Sequence, residues 1–207
     1  MSYFPMFVQL EGKDCLVVGG GKVALRKVNT LQDFGAIVTV IAPSIVDEIK
    51  NLPDVIYAER EYEVGDLDGQ TLVVAATGDH DQNHEISVAC KERMIPINAV
   101  DQVEDCTFIF PAYQKAGEVV GAFTSGGKSP VLAQYLKEQA EDYVNPAIGR
   151  LADYLGSIRD EVKAKVPTEE KRRRVYADVM TFVLIKERYP FREELDVMIQ
   201  NHLEDME

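Results

Sequence analysis

Short apolar runs separated by amphipathic stretches set the rhythm of the first hundred residues. Cys15-Leu16-Val17-Val18 is strand-length and breaks into Gly19-Gly20-Gly21. Over residues 22–34 the apolar positions Val23, Val28, Leu31 and Phe34 recur at roughly helical spacing, and Gly35 stands where a left-handed residue ends a helix. Residues 37–41 are nearly all apolar and β-branched, as suits a strand covered on both faces. Ala42-Pro43-Ser44 then breaks the run, and Ser44 predicts the cap of a short helix through Lys50. Residues 55–60 and 71–76 read as strands on either side of a turn at Asp66-Leu67-Asp68-Gly69. Thr77-Gly78-Asp79 leads into a helix through Arg93, and residues 95–99 form a strand shortened by Pro96. Strands alternating with helices predict a parallel, doubly wound sheet over residues 1 to about 100. Ahead of it, Phe4, Met6, Phe7, Val8 and Leu10 predict a packed lead-in ending at the turn Glu11-Gly12-Lys13.

The pattern changes after Val100. Residues 107–110 and 118–123 are strand-like runs joined by a turn-containing segment with Lys115 and Gly117, which predicts an antiparallel pair. From Ser129 onward the chain reads as helical. Ser129 caps a helix with Pro130 in its first position, and Asn145-Pro146 marks a break. Leu151, Leu155, Ile158 and Val162 then make one apolar face. Thr168-Glu169-Glu170 restarts a helix with the stripe Val175, Val179, Phe182 and Ile185; Tyr189-Pro190 ends it, and a last helix runs over residues 192–203. The fold class expected is α/β, with three segments: a Rossmann-type parallel-sheet domain over 1–106, a dimerisation and substrate segment with the strand pair and a glycine loop over 107–145, and a helical C-terminal domain over 146–207. Strand edges and apolar helix faces need cover, and a partner subunit is a reasonable candidate.

Composition narrows the function classes. Lys and Arg number 22 against 35 Asp and Glu, a net charge of −13, which argues against broad nucleic-acid binding. The longest apolar runs are strand-length, and the N-terminus lacks the basic start and cleavage site of a signal peptide, so no membrane association is expected. Cys15, Cys90 and Cys106 form no C-x-x-C and cannot all pair, which points to a reducing, cytoplasmic setting.

The candidate chemistry begins at the first glycine turn. Gly19, Gly21 and Ala24 fit the G-x-G-x-x-A form of a dinucleotide fingerprint. Gly19 allows the tight turn, Gly21 lets a pyrophosphate approach the backbone, and the helix starting near Lys22 offers exposed N–H groups to an anion. A glycine-rich turn without any ligand is the competing reading. At the end of the second strand, where an acid normally meets the adenosine ribose, stands Ala42-Pro43-Ser44, with no acid before Asp47 and no arginine that would favour NADP. NAD is the cofactor expected, with Ser44 and backbone groups at the ribose. The loops at Ala76-Thr77-Gly78-Asp79 and Asn98-Ala99-Val100-Asp101 follow later strands and should face the cofactor. Asp101 is then a candidate to orient substrate or move a proton, against a turn-forming surface role. Thr124-Ser125-Gly126-Gly127-Lys128-Ser129-Pro130 repeats the strand–glycine–helix design and is a candidate receptor for carboxylates, against an ordinary capped loop.

Three segments in order, FPMFVQLEGKDCLVVGGGKVALRK, NAVDQVEDCTFIFPA and TSGGKSPVLAQYLKE, resemble the precorrin-2 dehydrogenases of siroheme biosynthesis. The likeness runs through about residue 165. It implies NAD-dependent oxidation of precorrin-2, a tetrapyrrole, to sirohydrochlorin within a homodimer. It also implies cofactor contacts at Gly19, Gly20, Gly21, Lys22, Val23, Pro43 and Ser44, a catalytic Asp101, and a substrate site at Ser125. Thr77 joins the cofactor candidates by its place after the fourth strand, and Gly126, Gly127 and Lys128 join the substrate candidates by the design of their loop, Lys128 standing where many members carry a small polar residue. Some members also insert ferrous iron, so a bifunctional dehydrogenase and ferrochelatase, with ferrous or cobaltous ion as co-substrate, is the alternative. A more distant one is an NAD-sensing regulatory module, which would leave Asp101 and Ser125 unexplained.

Other features carry less weight. His80 and His84 share a helix face beside Asp79 and Asp81, yet lack a third ligand, so no metal site is assigned and an exposed polar first turn is expected. Cys90 and Cys106 read as packing residues, and Lys171-Arg172-Arg173-Arg174 as a solvated helix face.

Overall fold

A computed structural model describes residues 3–204 of the chain, which divides into two compact units between Phe110 and Pro111. The N-terminal unit is built on a five-stranded parallel sheet. Its strands are β1 (Asp14–Val18), β2 (Ile37–Ala42), β3 (Val55–Glu59), β4 (Leu72–Ala75) and β5 (Ile97–Ala99), in the order β3-β2-β1-β4-β5. The reversal of direction across β1 makes it the switch point of the sheet. Helices α1 (Lys22–Asp33), α2 (Asp47–Lys50) and α3 (His80–Glu92) connect the strands.

Alternation along β1 divides the core. Cys15 and Val17 face one side with Ala24, Val28 and Leu31 of α1, while Leu16 and Val18 face the other with Ile86 and Cys90 of α3. Strands buried on both faces have no solvated side, which is why they read as continuous apolar runs. Gly35 takes φ 74 after α1, as its position predicts.

The lead-in departs from expectation. Leu10 packs against the core, but Phe4 is 85%, Phe7 74% and Met6 72% exposed, so residues 4–8 do not pack on the described chain. Ser44 caps nothing: α2 starts after Val46, whose N–H donates to the Gly20 carbonyl at 2.9 Å. Residues 107–110 are not a strand. The Thr107 N–H donates to the Ile97 carbonyl and Ile97 N–H to Thr107 Oγ1 (2.8 and 2.9 Å), tying this segment to β5. Phe108 and Phe110 then pack on the sheet core with ring centroids 5.3 Å apart. Their β propensity reflects burial, not pairing.

In the C-terminal unit the antiparallel pair is β6 (Ala112–Ala116) and β7 (Val119–Phe123). Helices α4 (Pro130–Ala140), α5 (Pro146–Ser157), α6 (Arg159–Lys165), α7 (Glu169–Lys186) and α8 (Arg192–Glu204) follow. Ser129 Oγ accepts from Leu132 N–H and Thr168 from Lys171, at the helix starts the sequence announces, while Asn145, read only as part of a break, also caps a helix by accepting from Ala147 and Ile148. Ile158, Val162, Val166, Val175, Val179, Leu195 and Ile199 close the helical core, whereas Ile185 is 70% exposed and lies off the stripe. The basic run is not uniformly solvated. Arg174 pairs with Glu170 at 2.6 Å, but Lys171 Nζ is enclosed without a hydrogen-bond partner.

Candidate functional site

The glycine turn is held in shape by the strands around it. Gly19 N–H donates to the Ile41 carbonyl at 2.9 Å, and Gly19 adopts φ 126. A Cβ there would lie 2.2 Å from the Ala76 carbonyl oxygen, and one on Gly20 would lie 2.1 Å from that of Ser44. Both positions are therefore closed to any side chain. Gly21 is different, since a Cβ on it would meet nothing within 4 Å. It caps α1 with no side-chain hydrogen bond, and the first turn of α1 contains no acid. That leaves an open backbone with its first N–H groups facing space, a geometry suited to an anion.

This turn forms one wall of a cleft of about 750 Å³. Gly19, Gly20, Gly21, Lys22, Val23, Pro43, Ser44, Thr77 and Asp101 all line it, together with Glu61, Tyr62, Gln82 and Val100. The cleft thus lies beyond the carboxyl ends of the strands at the switch point, where open α/β sheets bind ligands. Thr77 is fixed from behind, with its hydroxyl 2.7 Å from Oδ1 of buried Asn83 and its N–H donating to the same atom at 3.2 Å. The Asp79 carboxylate is occupied as the cap of α3, accepting from Asp81 and Gln82 N–H.

Asp101 is exposed and left-handed at φ 60, a conformation that Asp tolerates better than most residues. The loop behind it is braced against α3. Buried Asp105 receives His84 Nδ1–H at 2.8 and 3.0 Å and Gln102 Nε2–H at 3.2 Å, and its carbonyl accepts from Ser87 Oγ at 2.7 Å. His84 therefore serves this loop, a partnership that helix spacing alone does not reveal. Cys106 Sγ donates within the same loop, to the Ala99 carbonyl at 3.1 Å. Lys27 of α1 stacks its Nζ 3.9 Å above the Phe110 ring. Burial lowers its pKa from the ordinary lysine value and Arg26 adds to the effect, while Cys106 and Asp101 oppose it. Among the described residues no three His, Cys, Asp or Glu side chains converge as metal ligands.

The Ser125 to Lys128 loop belongs to the C-terminal unit. Gly126 and Gly127 are left-handed, at φ 64 and 82. Ser125 Oγ accepts from Ser129 N–H at 2.8 Å and donates to the Ser129 carbonyl at 2.9 Å, so its hydroxyl closes the loop. Lys128 is exposed.

The sequence matches the family described as putative NAD(P)-binding over residues 6–112, and the sirohaem synthase dimerisation region over residues 147–184. The chain belongs to the putative NAD(P)-binding family, and a sirohaem synthase dimerisation region follows that domain. Among its relatives, the siroheme synthase of Thioalkalivibrio sulfidiphilus is 44% identical over 179 residues, covering 85% of this chain and 37% of that protein. The siroheme synthase of Nitrosomonas europaea is 37% identical over 177 residues, covering 84% and 37%. This chain thus spans a little over a third of the length of these relatives. The solved structure of SirC, precorrin-2 dehydrogenase, shares the fold, with a TM-score of 0.65 over 98% of this chain and all of that one at 19% identity. The family match supports a nicotinamide cofactor for the cleft. No helix among the described residues is long and apolar enough to cross a membrane.

Sequence reasoning missed Glu61 and Tyr62 as cleft residues. The signal was present in the parallel pairing of β2 with β3, which carries the chain beyond Glu59 to the same level as Pro43 and Ser44.

Proposed function

We propose that the protein is an NAD-dependent precorrin-2 dehydrogenase acting as a homodimer. The observation that carries this reading is the uncapped first turn of α1 opening on the same cleft as Asp101. Gly21 and the N–H groups at Lys22 and Val23 would receive the pyrophosphate, Pro43 and Ser44 the adenosine side, and Thr77 the segment beyond. A bound nicotinamide supplies the hydride acceptor. Oxidation of precorrin-2 to sirohydrochlorin removes two electrons and two hydrogens, one as hydride to NAD+ and one as a proton. Asp101 takes that proton, directly or through a water. Ser125, Gly126, Gly127 and Lys128 form the loop proposed to meet substrate, and the exposed Lys128 offers one cation to a carboxylate of the macrocycle.

The match to a dimerisation region supports the homodimer. Three free cysteines, two of them buried, suit a reducing cytoplasm. Insertion of ferrous or cobaltous ion is the second reading, favoured by relatives named for siroheme, an iron tetrapyrrole. Anaerobic incubation with precorrin-2 and NAD+ tests the first reading through NADH absorbance, and no reduction would overturn it. Sirohydrochlorin with metal ion and no NAD+ tests the second, through the appearance of a metallated spectrum.

A further inference from the structure

The strand beside β2 supplies a carboxylate that the end of β2 lacks. β2 and β3 run parallel with Ala42 opposite Glu59, so two residues further on Ser44 and Glu61 extend past the sheet together, and both line the cleft. An adenosine ribose bound at the end of a second strand is normally met by an acid there. We infer that Glu61 accepts hydrogen bonds from the ribose hydroxyls and repels a 2′-phosphate, making the cleft selective for NAD over NADP. This rests on the dinucleotide reading proposed above.

The charges around Glu61 point the same way. Lys50 Nζ is engaged by Glu59 at 2.7 Å, and Arg60 forms a bidentate pair with Asp66 at 2.6 and 2.8 Å. Glu59 also accepts from Ile45 N–H at 3.3 Å, fixing the loop that carries Ser44. Of the residues lining the cleft only Lys22 is cationic, and it sits at the glycine turn, the pyrophosphate side. A 2′-phosphate beside Glu61 would meet like charge, with both neighbouring cations already paired. Glu61 is exposed, so screening limits the repulsion to roughly a tenfold effect on affinity.

Isothermal titration of the purified chain with NAD+ and with NADP+ tests this, using wild type, Glu61→Gln and Glu61→Arg, each checked by thermal denaturation. Wild type is expected to prefer NAD+ by about tenfold or more, Glu61→Gln to cut that preference about tenfold, and Glu61→Arg to reverse it, all with unchanged melting temperature. Wild type binding both dinucleotides equally, or variants keeping the wild-type preference, would overturn the assignment of Glu61 alone. Binding of neither dinucleotide by folded wild type would overturn the cofactor reading, and this inference with it.

Discussion

His84 Nδ1 lies 2.8 and 3.0 Å from the two carboxylate oxygens of Asp105, joining a half-turn of α3 to the loop that presents Asp101. Asp105 is 4% exposed, and Gln102 Nε2 also donates to it while reaching the His80 carbonyl at 3.0 Å. The loop that carries the left-handed backbone of Asp101 is thus held by a polar brace in addition to the packing of Ala99 and Cys106. Replacing Asp105 by Leu leaves these donors without their acceptor, which costs about 1–3 kcal/mol. Denaturant unfolding should show that loss, and hydrogen exchange should show the amides of residues 100–106 losing protection first. Unchanged protection in that loop would mean the brace is not what holds it.

Gly20 and Gly21 of the first turn should respond differently to alanine. A Cβ on Gly20 would overlap the Ser44 carbonyl at 2.1 Å, so Gly20→Ala is expected to lower the melting temperature and distort the cleft. Gly21 has open space, so Gly21→Ala should fold with near wild-type stability yet weaken dinucleotide binding by blocking backbone approach. Parallel melting curves and titrations separate the two effects.

Asp101→Asn keeps a side chain that tolerates φ 60 but removes the base. It should bind NAD+ as wild type does and lose about 10²–10⁴-fold in turnover of precorrin-2. Normal turnover by folded Asp101→Asn would remove any proton role for this residue.

Alkaline pH should destabilise the N-terminal unit. Burial, with Asp14 adding, pushes the Cys15 thiol up to about 11; burial against a smaller opposing effect of Arg93 does the same for Cys90. Burial chiefly raises Tyr62 to about 12. For each group the folded pKa exceeds the unfolded one, so the protonated form's contribution is intact below about pH 9 and is lost as pH climbs through 11 and 12. Urea midpoints should therefore fall between pH 8.5 and 11 by roughly the slope that proton linkage requires. Cys15→Val, which removes one titrating group at similar volume, should flatten that fall.

Much of the design is local and so legible along the chain. The parallel strands declare themselves because burial on two faces demands unbroken apolar runs, as at residues 15–18 and 72–75. Caps at Ser129 and Thr168 are visible because each needs only its own next turn. The glycine turn is equally readable, since strand, glycines and helix are consecutive. What depends on partners distant in sequence is not. Thr107 to Phe110 has strand composition, yet its aromatics pack on the sheet core. The exposed lead-in at Phe4 to Val8 and the His84–Asp105 brace likewise depend on which surfaces meet. Sequence spacing fixes where Gly19 to Val23 must turn. The loops of Thr77 and Asp101 could be placed at that end from the alternation of strands and helices, but only the order and register of the sheet bring Glu61 and Tyr62 to the same cleft, because lateral neighbours in a parallel sheet are chosen by packing and pairing rather than by chain order.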